Sequence, residues 1–367
     1  MTRWRLTCET LGVALIGVAL FHLIHSPMPW MLGSLTSVMV WGLVTKRPLY
    51  WPYAFRQTAL IMLGYLLGTS FTRDTVLKMA EYIPSMLFVT IMTILFSILL
   101  GYGFSKSTGV DISSSIIGSV PGGLTQMLVL SEEIKEVDPT VVAMMQMMRV
   151  MAVVFIVPFL TVSALPGAQA SVGAVVEEAV SVTWAGMPWY TYILYPLLML
   201  AGAWGASKIN LPTAYLLGPL LVTAALLLTG FSAPPLPDDF VIVAQLLIGV
   251  HMGLQMKPTE VPNWKKVALY MILTSVLLVV FSLGLSFILA KWHHLDLHAA
   301  FLGAAPGGMA EMGVTAAAIG ADLSVVSSYQ LFRLLTIMLI VPYILRWWMK
   351  RSKLLKVVEE QADDVGV

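Results

Sequence analysis

Apolar residues fall in long runs along this chain, and polar residues are confined to short breaks between them. Ten runs are long enough, and free enough of charge at their centres, to predict membrane-spanning helices. They lie at about 7–25, 28–45, 54–71, 82–105 and 139–160 in the first half, and at about 189–207, 212–230, 240–256, 267–290 and 325–346 in the second. Two further apolar stretches, 111–131 and 296–320, are each broken by Pro-Gly-Gly. The first run follows Arg3 and Arg5 as a signal peptide would. It has no small-x-small cleavage site before His25-Ser26-Pro27, so it is read as a retained span. Residues 161–187 hold Pro166, Glu177 and Glu178 and read as a linker, and the stretch after Arg346 reads as a solvated polar tail.

The pattern repeats. Shifting the chain by 185 residues lays Pro27 on Pro212, Gly33 on Gly218, Gly64 on Gly249, Gly68 on Gly253 and Asp111 on Asp296. The same shift lays Pro121-Gly122-Gly123 on Pro306-Gly307-Gly308 and Met127 on Met312. One residue is then lost, and an offset of 184 pairs Gln146 with Gln330, Arg149 with Arg333 and Pro158 with Pro342. An ordered series at a nearly constant offset indicates an internal duplication.

Charge orients the copies. Of the 21 Lys and Arg residues, Arg149 and Arg333 lie inside apolar runs. If each Pro-Gly-Gly stretch enters and leaves on one side, each copy crosses five times, and the remaining basic residues split 16 inside to 3 outside. If those stretches crossed, the split would be 12 to 7. The first arrangement also puts the acidic linker and the loop Pro234–Asp239 outside, and neither carries Lys or Arg. The expected fold is an all-α polytopic membrane protein of two inverted repeats, each with about five transmembrane helices and one broken or re-entrant Pro-Gly-Gly hairpin. The expected divisions are a first membrane repeat at 1–160, an acidic extracytoplasmic linker at 161–187, a second membrane repeat at 188–346 and a cytoplasmic polar tail at 347–367.

Composition narrows the function classes. Of 367 residues 58% are hydrophobic and 11% charged, against about 25% charged in soluble domains. A net charge of +1 provides no basic field for nucleic acid. One cysteine, Cys8, excludes a disulfide framework and any multi-cysteine metal site. The six histidines form no metal-ligand spacing, and no nucleophile elbow or phosphate loop stands in a credible context, so neither enzyme chemistry nor a resident cofactor is expected.

The candidate site gathers at the breaks. Pro121, Gly122 and Gly123 in one copy, and Pro306, Gly307 and Gly308 in the other, interrupt the backbone where it must be buried in protein or line a watery cavity. Half-helix ends there expose N–H groups suited to an anion. Five residues after each proline stand Gln126 and Glu311. A carboxylate within the membrane is expensive, and Glu311 could carry a proton or bind a cation. Gln146/Arg149 and Gln330/Arg333 each share one helix face at a spacing of three. Those arginines could clamp a substrate oxyanion, or could neutralise Glu311 or helix carbonyls. Asp111 and Asp296 read as helix N-caps, and His293 and His294 as solvated loop residues.

The motifs Pro27-Met-Pro-Trp-Met-Leu-Gly33, Pro212-Thr-Ala-Tyr-Leu-Leu-Gly218, Pro306-Gly-Gly-Met-Ala-Glu-Met312 and Gln330-Leu-Phe-Arg333 resemble the duplicated unit of the AbrB-type bacterial membrane proteins. The resemblance covers roughly residues 10–346. Members are often labelled regulators or an ammonia monooxygenase, yet this sequence holds neither a DNA-binding element nor a set of metal ligands. More distantly, Pro306-Gly307-Gly308, Gly320-Ala-Asp-Leu-Ser-Val325 and Pro342 are similar to a stretch of the bile acid:sodium symporter family. That likeness implies an inverted-repeat secondary transporter with broken helices at its site. In that family a sodium-ligating asparagine follows Pro-Gly-Gly, and the matching place here is near Glu311, a departure from the pattern. The broken helix of that family also crosses the membrane, whereas the charge count here favours a hairpin.

The leading expectation is a secondary active transporter of a small anionic or zwitterionic metabolite, coupled to H⁺ or Na⁺. A cation/proton antiporter and a non-transporting membrane sensor or regulator are the alternatives. The expected setting is the bacterial cytoplasmic (inner) membrane with both termini cytoplasmic. The expected partners are the lipid bilayer and a small solute, not nucleic acid, with a homodimer left open.

Overall fold

The computed structural model describes the chain apart from residues 1–2, 25, 27, 72, 123–126, 129, 132–136, 164–190, 212, 232, 235, 256–263 and 365–367. Among the described residues there are thirteen helices and no strand. The first half holds α1 (Arg3–Leu23), α2 (Pro29–Thr45), α3 (Tyr53–Gly68), α4 (Arg73–Thr108), α5 (Ile112–Ser119) and α6 (Pro139–Ser163). The second holds α7 (Thr191–Lys208), α8 (Ala214–Leu228), α9 (Asp238–Gln255), α10 (Trp264–His293), α11 (Leu297–Ala304), α12 (Met309–Ile319) and α13 (Leu323–Asp364). The linker beyond Ser163 lies outside the described residues.

Every predicted apolar run forms a helix, but the helices differ in length from the runs. Five described segments are long and apolar enough to cross a bilayer: Arg3–Leu23, Met79–Thr108, Pro139–Val162, Val267–His293 and Leu323–Val341. The others fall short of that length or hydropathy. The 15 residues of α8 rise only about 22 Å against a hydrocarbon core of about 30 Å. Its ends explain why: it starts after Thr213, which caps it with a left-handed backbone (φ 44°), and stops before Gly230 (φ 95°). In the opposite sense, α4 and α13 run well beyond their predicted bounds, α13 as far as Asp364.

The surface is that of a membrane protein. Ile16, Leu99, Leu197, Trp204, Leu269 and Leu339 are exposed, while Thr93, Ser97, Ser275, Ser282 and Ser286 are buried on the inner faces of the same apolar helices. A lipid-facing exterior reverses the polarity that water imposes. The four serines are satisfied within their own helices, Ser97 Oγ donating to Thr93 O and Ser275 Oγ to Met271 O, each at 2.7 Å, whereas Thr93 Oγ1 has no partner.

Packing sorts the helices into two groups. In one, α1–α3 pack with α7–α9, and in the other α4–α6 pack with α10–α13. The first group closes on glycine: a Cβ on Gly64 would lie 2.3 Å from Leu216 O, and one on Gly249 would lie 2.5 Å from Met31 O. These two contacts are the same contact displaced by 185 residues in both partners. In the second group Phe96 stacks on Phe281, its own counterpart at that offset, with centroids 4.1 Å apart. The groups meet where Leu67 of α3 packs against Gly313 of α12, within a cluster that includes Met309, Ala310 and Val314.

Contacts also sort the helix ends. At the end of the bundle where α1 begins (the near face), Arg47 pairs with Glu9 at 4.0 Å and Tyr53 meets the ring of His251 at 6.5 Å. At the far face Tyr65 Oη donates to Pro234 O, and Arg73 Nε donates to Leu228 O at 3.1 Å. The end of α10 also lies at the far face, since His293 Nε2 is 2.8 Å from Ser85 Oγ near the start of α4. The two broken segments open at opposite faces. The first begins and ends beside the last turns of α4, where the Asp138 N–H donates to Ser114 Oγ at 2.9 Å. The second begins at Asp296 and ends at Asp322, which line one cavity with His293 and Tyr82 at the far face.

Candidate functional site

Each broken segment starts with an aspartate cap. Asp111 Oδ2 accepts from the N–H groups of Ser113 (2.8 Å) and Ser114 (3.0 Å), and Asp296 Oδ2 from those of His298 (3.0 Å) and Ala299 (3.2 Å). This is the capping role read from the sequence. The short helices α5 and α11 then run inward and stop one residue before proline.

The stop has one geometry in both segments. Val120 and Ala305 take extended backbones with ψ 129° and 135°, as a residue before proline must. The Gly122 N–H then donates to Val120 O at 2.7 Å, and the Gly307 N–H to Ala305 O at 2.8 Å, closing a tight turn across each proline. In the second segment the chain resumes as α12, with Gly308 at its N-cap and Glu311 in its first turn. Gly123 and Gln126 lie outside the described residues.

The last carbonyls of α5 and α11 have no intrahelical donors, and they are buried. Side chains from the next long helix satisfy them. Gln146 Nε2 lies 3.3, 3.1 and 2.8 Å from the carbonyls of Ile117, Gly118 and Val120. Arg149 Nη1 donates to Ser119 O (3.4 Å) and Val120 O (3.0 Å), and its Nη2 donates to Gln146 Oε1 (2.6 Å). Gln330 Nε2 reaches Leu302 O (2.6 Å), Gly303 O (3.5 Å) and Ala305 O (3.2 Å). Arg333 Nη1 donates to Ala304 O (3.2 Å) and Ala305 O (2.5 Å), and its Nη2 to Gly307 O (2.8 Å) and to Gln330 Oε1. A permanent cation at a helix C-terminus also meets the negative end of the helix dipole.

Of the two arginine roles open in the sequence, the contacts seen are therefore those with helix carbonyls. Arg149 and Arg333 are only 6% and 5% exposed. Among the described residues neither forms an ion pair: the pairs present are Arg47–Glu9 and His298–Asp296. Arg149 Nε is buried without a hydrogen-bond partner. Two buried guanidiniums thus each sit on the carbonyls at the end of a short helix, α5 or α11.

Glu311 does not meet either arginine. Its carboxylate folds back over the backbone of Gly308, where an added Cβ would fall 1.8 Å from Oε2. It is partly exposed, and its helix packs on α3 through Gly313 and Leu67. Glu311 thus sits where the two helix groups meet. No group of three His, Cys, Asp or Glu side chains arranged to hold a metal ion occurs among the described residues.

One cluster escaped the sequence reading. His293, expected in solvent, lies with its Nε2 2.8 Å from Ser85 Oγ, which is 2.7 Å from Tyr329 Oη. Ser85 Oγ already donates to Tyr82 O at 2.8 Å, so it accepts from both neighbours. Beside this chain lies a cavity of about 410 Å³, with Asp296, Asp322, Ser324 and Ser328 on its walls. The one sequence signal was negative: the counterparts of His293 and Tyr329 are Thr108 and Met145, so the copies differ here.

These features define a class, the polytopic helical integral membrane proteins with broken helices at their core. The family model described as "Transition state regulatory protein AbrB" matches residues 30–349, and the chain belongs to the AbrB family. YhjN of Bacillus subtilis (strain 168), an uncharacterized protein, is 24% identical over 353 residues, covering 90% of each chain. A protein of Escherichia coli (strain K12) that carries the name AbrB and the description of a regulator is 26% identical over 347 residues. That match covers 94% of this chain and 96% of the relative.

Proposed function

We propose that the protein is a secondary active transporter of a small anionic or zwitterionic metabolite, driven by H⁺ or Na⁺, in the bacterial inner membrane. The observation that carries this reading is the pair of broken segments that open at opposite faces and end on equivalent Gln–Arg clamps. Segments that enter and leave on one face make five crossings per half, which inverts the second copy relative to the first. Inverted repeats with discontinuous helices at a central site are the common design of secondary transporters. The stack of Phe96 on Phe281, residues equivalent in the two copies, supports a twofold relation between the halves. The basic residues support a cytoplasmic near face and cytoplasmic termini.

In this account α1–α3 and α7–α9 form a scaffold, and the segments bearing α5, α11 and α12 form the moving core. The Gln–Arg clamps hold the tips rigid and put positive charge where a carboxylate would sit, with Arg149 Nε free to donate. Glu311, at the seam between core and scaffold, binds the coupling ion. No bond of the solute is made or broken.

The regulatory description of the Escherichia coli relative supports a second reading, a membrane sensor that binds solute without moving it. One experiment separates the two. Purified protein is screened by thermal shift against mono- and dicarboxylates and amino acids, with and without Na⁺ and across pH. A stabilising solute is then offered to proteoliposomes. Uptake that depends on an imposed ion gradient supports transport. Stabilisation without uptake supports a sensor, and Na⁺-driven proton movement without organic solute supports an antiporter.

A further inference from the structure

A cavity of about 410 Å³ lies at the far face, where the second broken segment begins and ends. That is the size of a pocket for a small organic molecule and far more than a single ion needs. Its walls carry His293, His294, Asp296, Asp322, Ser324 and Ser328, and no Lys or Arg among the described residues. The protons of these side chains are largely committed. Ser324 Oγ donates to Asp322 Oδ1, and Ser328 Oγ donates to Ser324 O. His293 donates through Nε2 to Ser85, whose own proton goes to Tyr82 O, and this leaves the His293 Nδ1 a bare acceptor. The first N–H groups of α11 and α13 are engaged by the caps Asp296 and Asp322. Asp322 Oδ2 accepts from no described residue. The walls therefore present an excess of acceptors. Each aspartate also carries a full negative charge against roughly half a positive charge at the helix end it caps.

We infer that the far-face cavity binds the ammonium group of an organic solute. Such a group supplies what the walls lack, a positive charge with up to three donors. The ring of Tyr82, also on the wall, adds an aromatic face that attracts a cation. The two aspartates alone assign nothing, because Asp111 and Asp138 cap helices of the first broken segment in the same way. The rest of the wall sets this cavity apart: the counterparts of His293, His294, Tyr82 and Ser328 are Thr108, Gly109, Val267 and Met144. The acceptor-rich wall thus belongs to one copy of the duplication. A metal ion is a poorer match, since no three carboxylate or imidazole groups converge to hold one among the described residues. The binding site stands on the cavity and its atoms. Its use by a transported solute rests on the transporter reading, which it narrows from anions and zwitterions to zwitterions.

The test uses the full chain in detergent micelles, with Cys8→Ser and a new cysteine at Met79 on the cavity wall. Its reaction is followed with an aminoethyl methanethiosulfonate, which carries an ammonium, a sulfonatoethyl one, which carries an anion, and the neutral methyl reagent. Each rate is divided by that for free mercaptoethanol. The ammonium reagent is expected to react about tenfold faster than the anionic one. Asp296→Asn with Asp322→Asn removes both charges and keeps both caps, because asparagine caps as well as aspartate. That pair is expected to cut the preference about threefold or more, while Asp138→Asn at the first segment leaves it unchanged. Butylammonium chloride is expected to slow the neutral reagent, and butanol or sodium butyrate at the same concentration is not. Ser324→Cys, at another point on the wall, must give the same order of rates. The site is overturned by no reaction at either position, by no preference for the ammonium reagent, or by a preference that survives the paired substitution or falls equally with Asp138→Asn. Butylammonium that protects no better than butyrate also overturns it. None of these rates requires transport. A chain with the expected rates that accumulates no solute keeps the site and loses the transporter reading, and one that accumulates a solute without them does the reverse.

Discussion

Replacing Arg333 with leucine separates a structural clamp from a solute ligand. The guanidinium donates to the carbonyls of Ala304, Ala305 and Gly307. Ala305 O keeps two other donors, the Gly307 N–H and Gln330 Nε2, whereas Ala304 O and Gly307 O each lose the only donor described for them. An orphaned buried carbonyl such as Ala304 O costs about 1–3 kcal/mol, and the half-buried Gly307 O costs less. The lost cation at the C-terminus of α11 adds up to about 2 kcal/mol in a buried setting. Relief from burying a charge offsets part of both, leaving a net loss of about 2–4 kcal/mol. Arg333→Lys restores the charge but not the planar fork, and recovers less than half of that loss. Arg149→Leu, with two carbonyl contacts, costs less than Arg333→Leu. The assay is equilibrium unfolding in detergent micelles, followed by circular dichroism, with no solute present. An Arg333→Leu protein as stable as its parent would refute the clamp and assign the guanidinium to solute alone.

Other substitutions probe the remaining links. Glu311→Gln is expected to leave folding intact and to abolish the dependence of uptake on an ion gradient, while unchanged gradient dependence in proteoliposomes removes Glu311 from coupling. Gly64→Ala drives a Cβ to 2.3 Å from Leu216 O and is expected to cost about 1–3 kcal/mol. Gly12→Ala, with nothing within 4 Å, should instead stabilise by up to about 1 kcal/mol in the same unfolding assay. Asp296→Ala removes the cap of α11 and is expected to cost about 1 kcal/mol, read as a lowered melting midpoint.

The helices were legible because lipid and protein interior both demand apolar side chains, and each run from residue 7 to residue 346 became a helix. Their lengths were less legible. Thr213 sets the start of a helix through backbone conformation, and composition does not record it. The Pro-Gly-Gly breaks and the aspartate caps were legible because each rests on local stereochemistry. The partners of Arg149 and Arg333 were not, since a carbonyl acceptor belongs to every residue and has no letter of its own. Glu311 attracted notice as a lone carboxylate, but its fold back onto Gly308 depends on how α12 begins. The link of His293 through Ser85 to Tyr329 was not legible, because these residues come from helices far apart in sequence. A mismatch between the copies at residues 108 and 293 marked the place without naming the contact.

The central claim is that two opposed hairpins move a solute through the membrane at the expense of an ion gradient. The most direct measurement is accumulation of a stabilising solute inside proteoliposomes under an imposed pH or Na⁺ gradient, followed by collapse of that gradient with an ionophore. The account predicts accumulation above the external concentration, and its loss when the gradient is collapsed. Solute binding with an internal concentration that never rises above that of protein-free liposomes would contradict it.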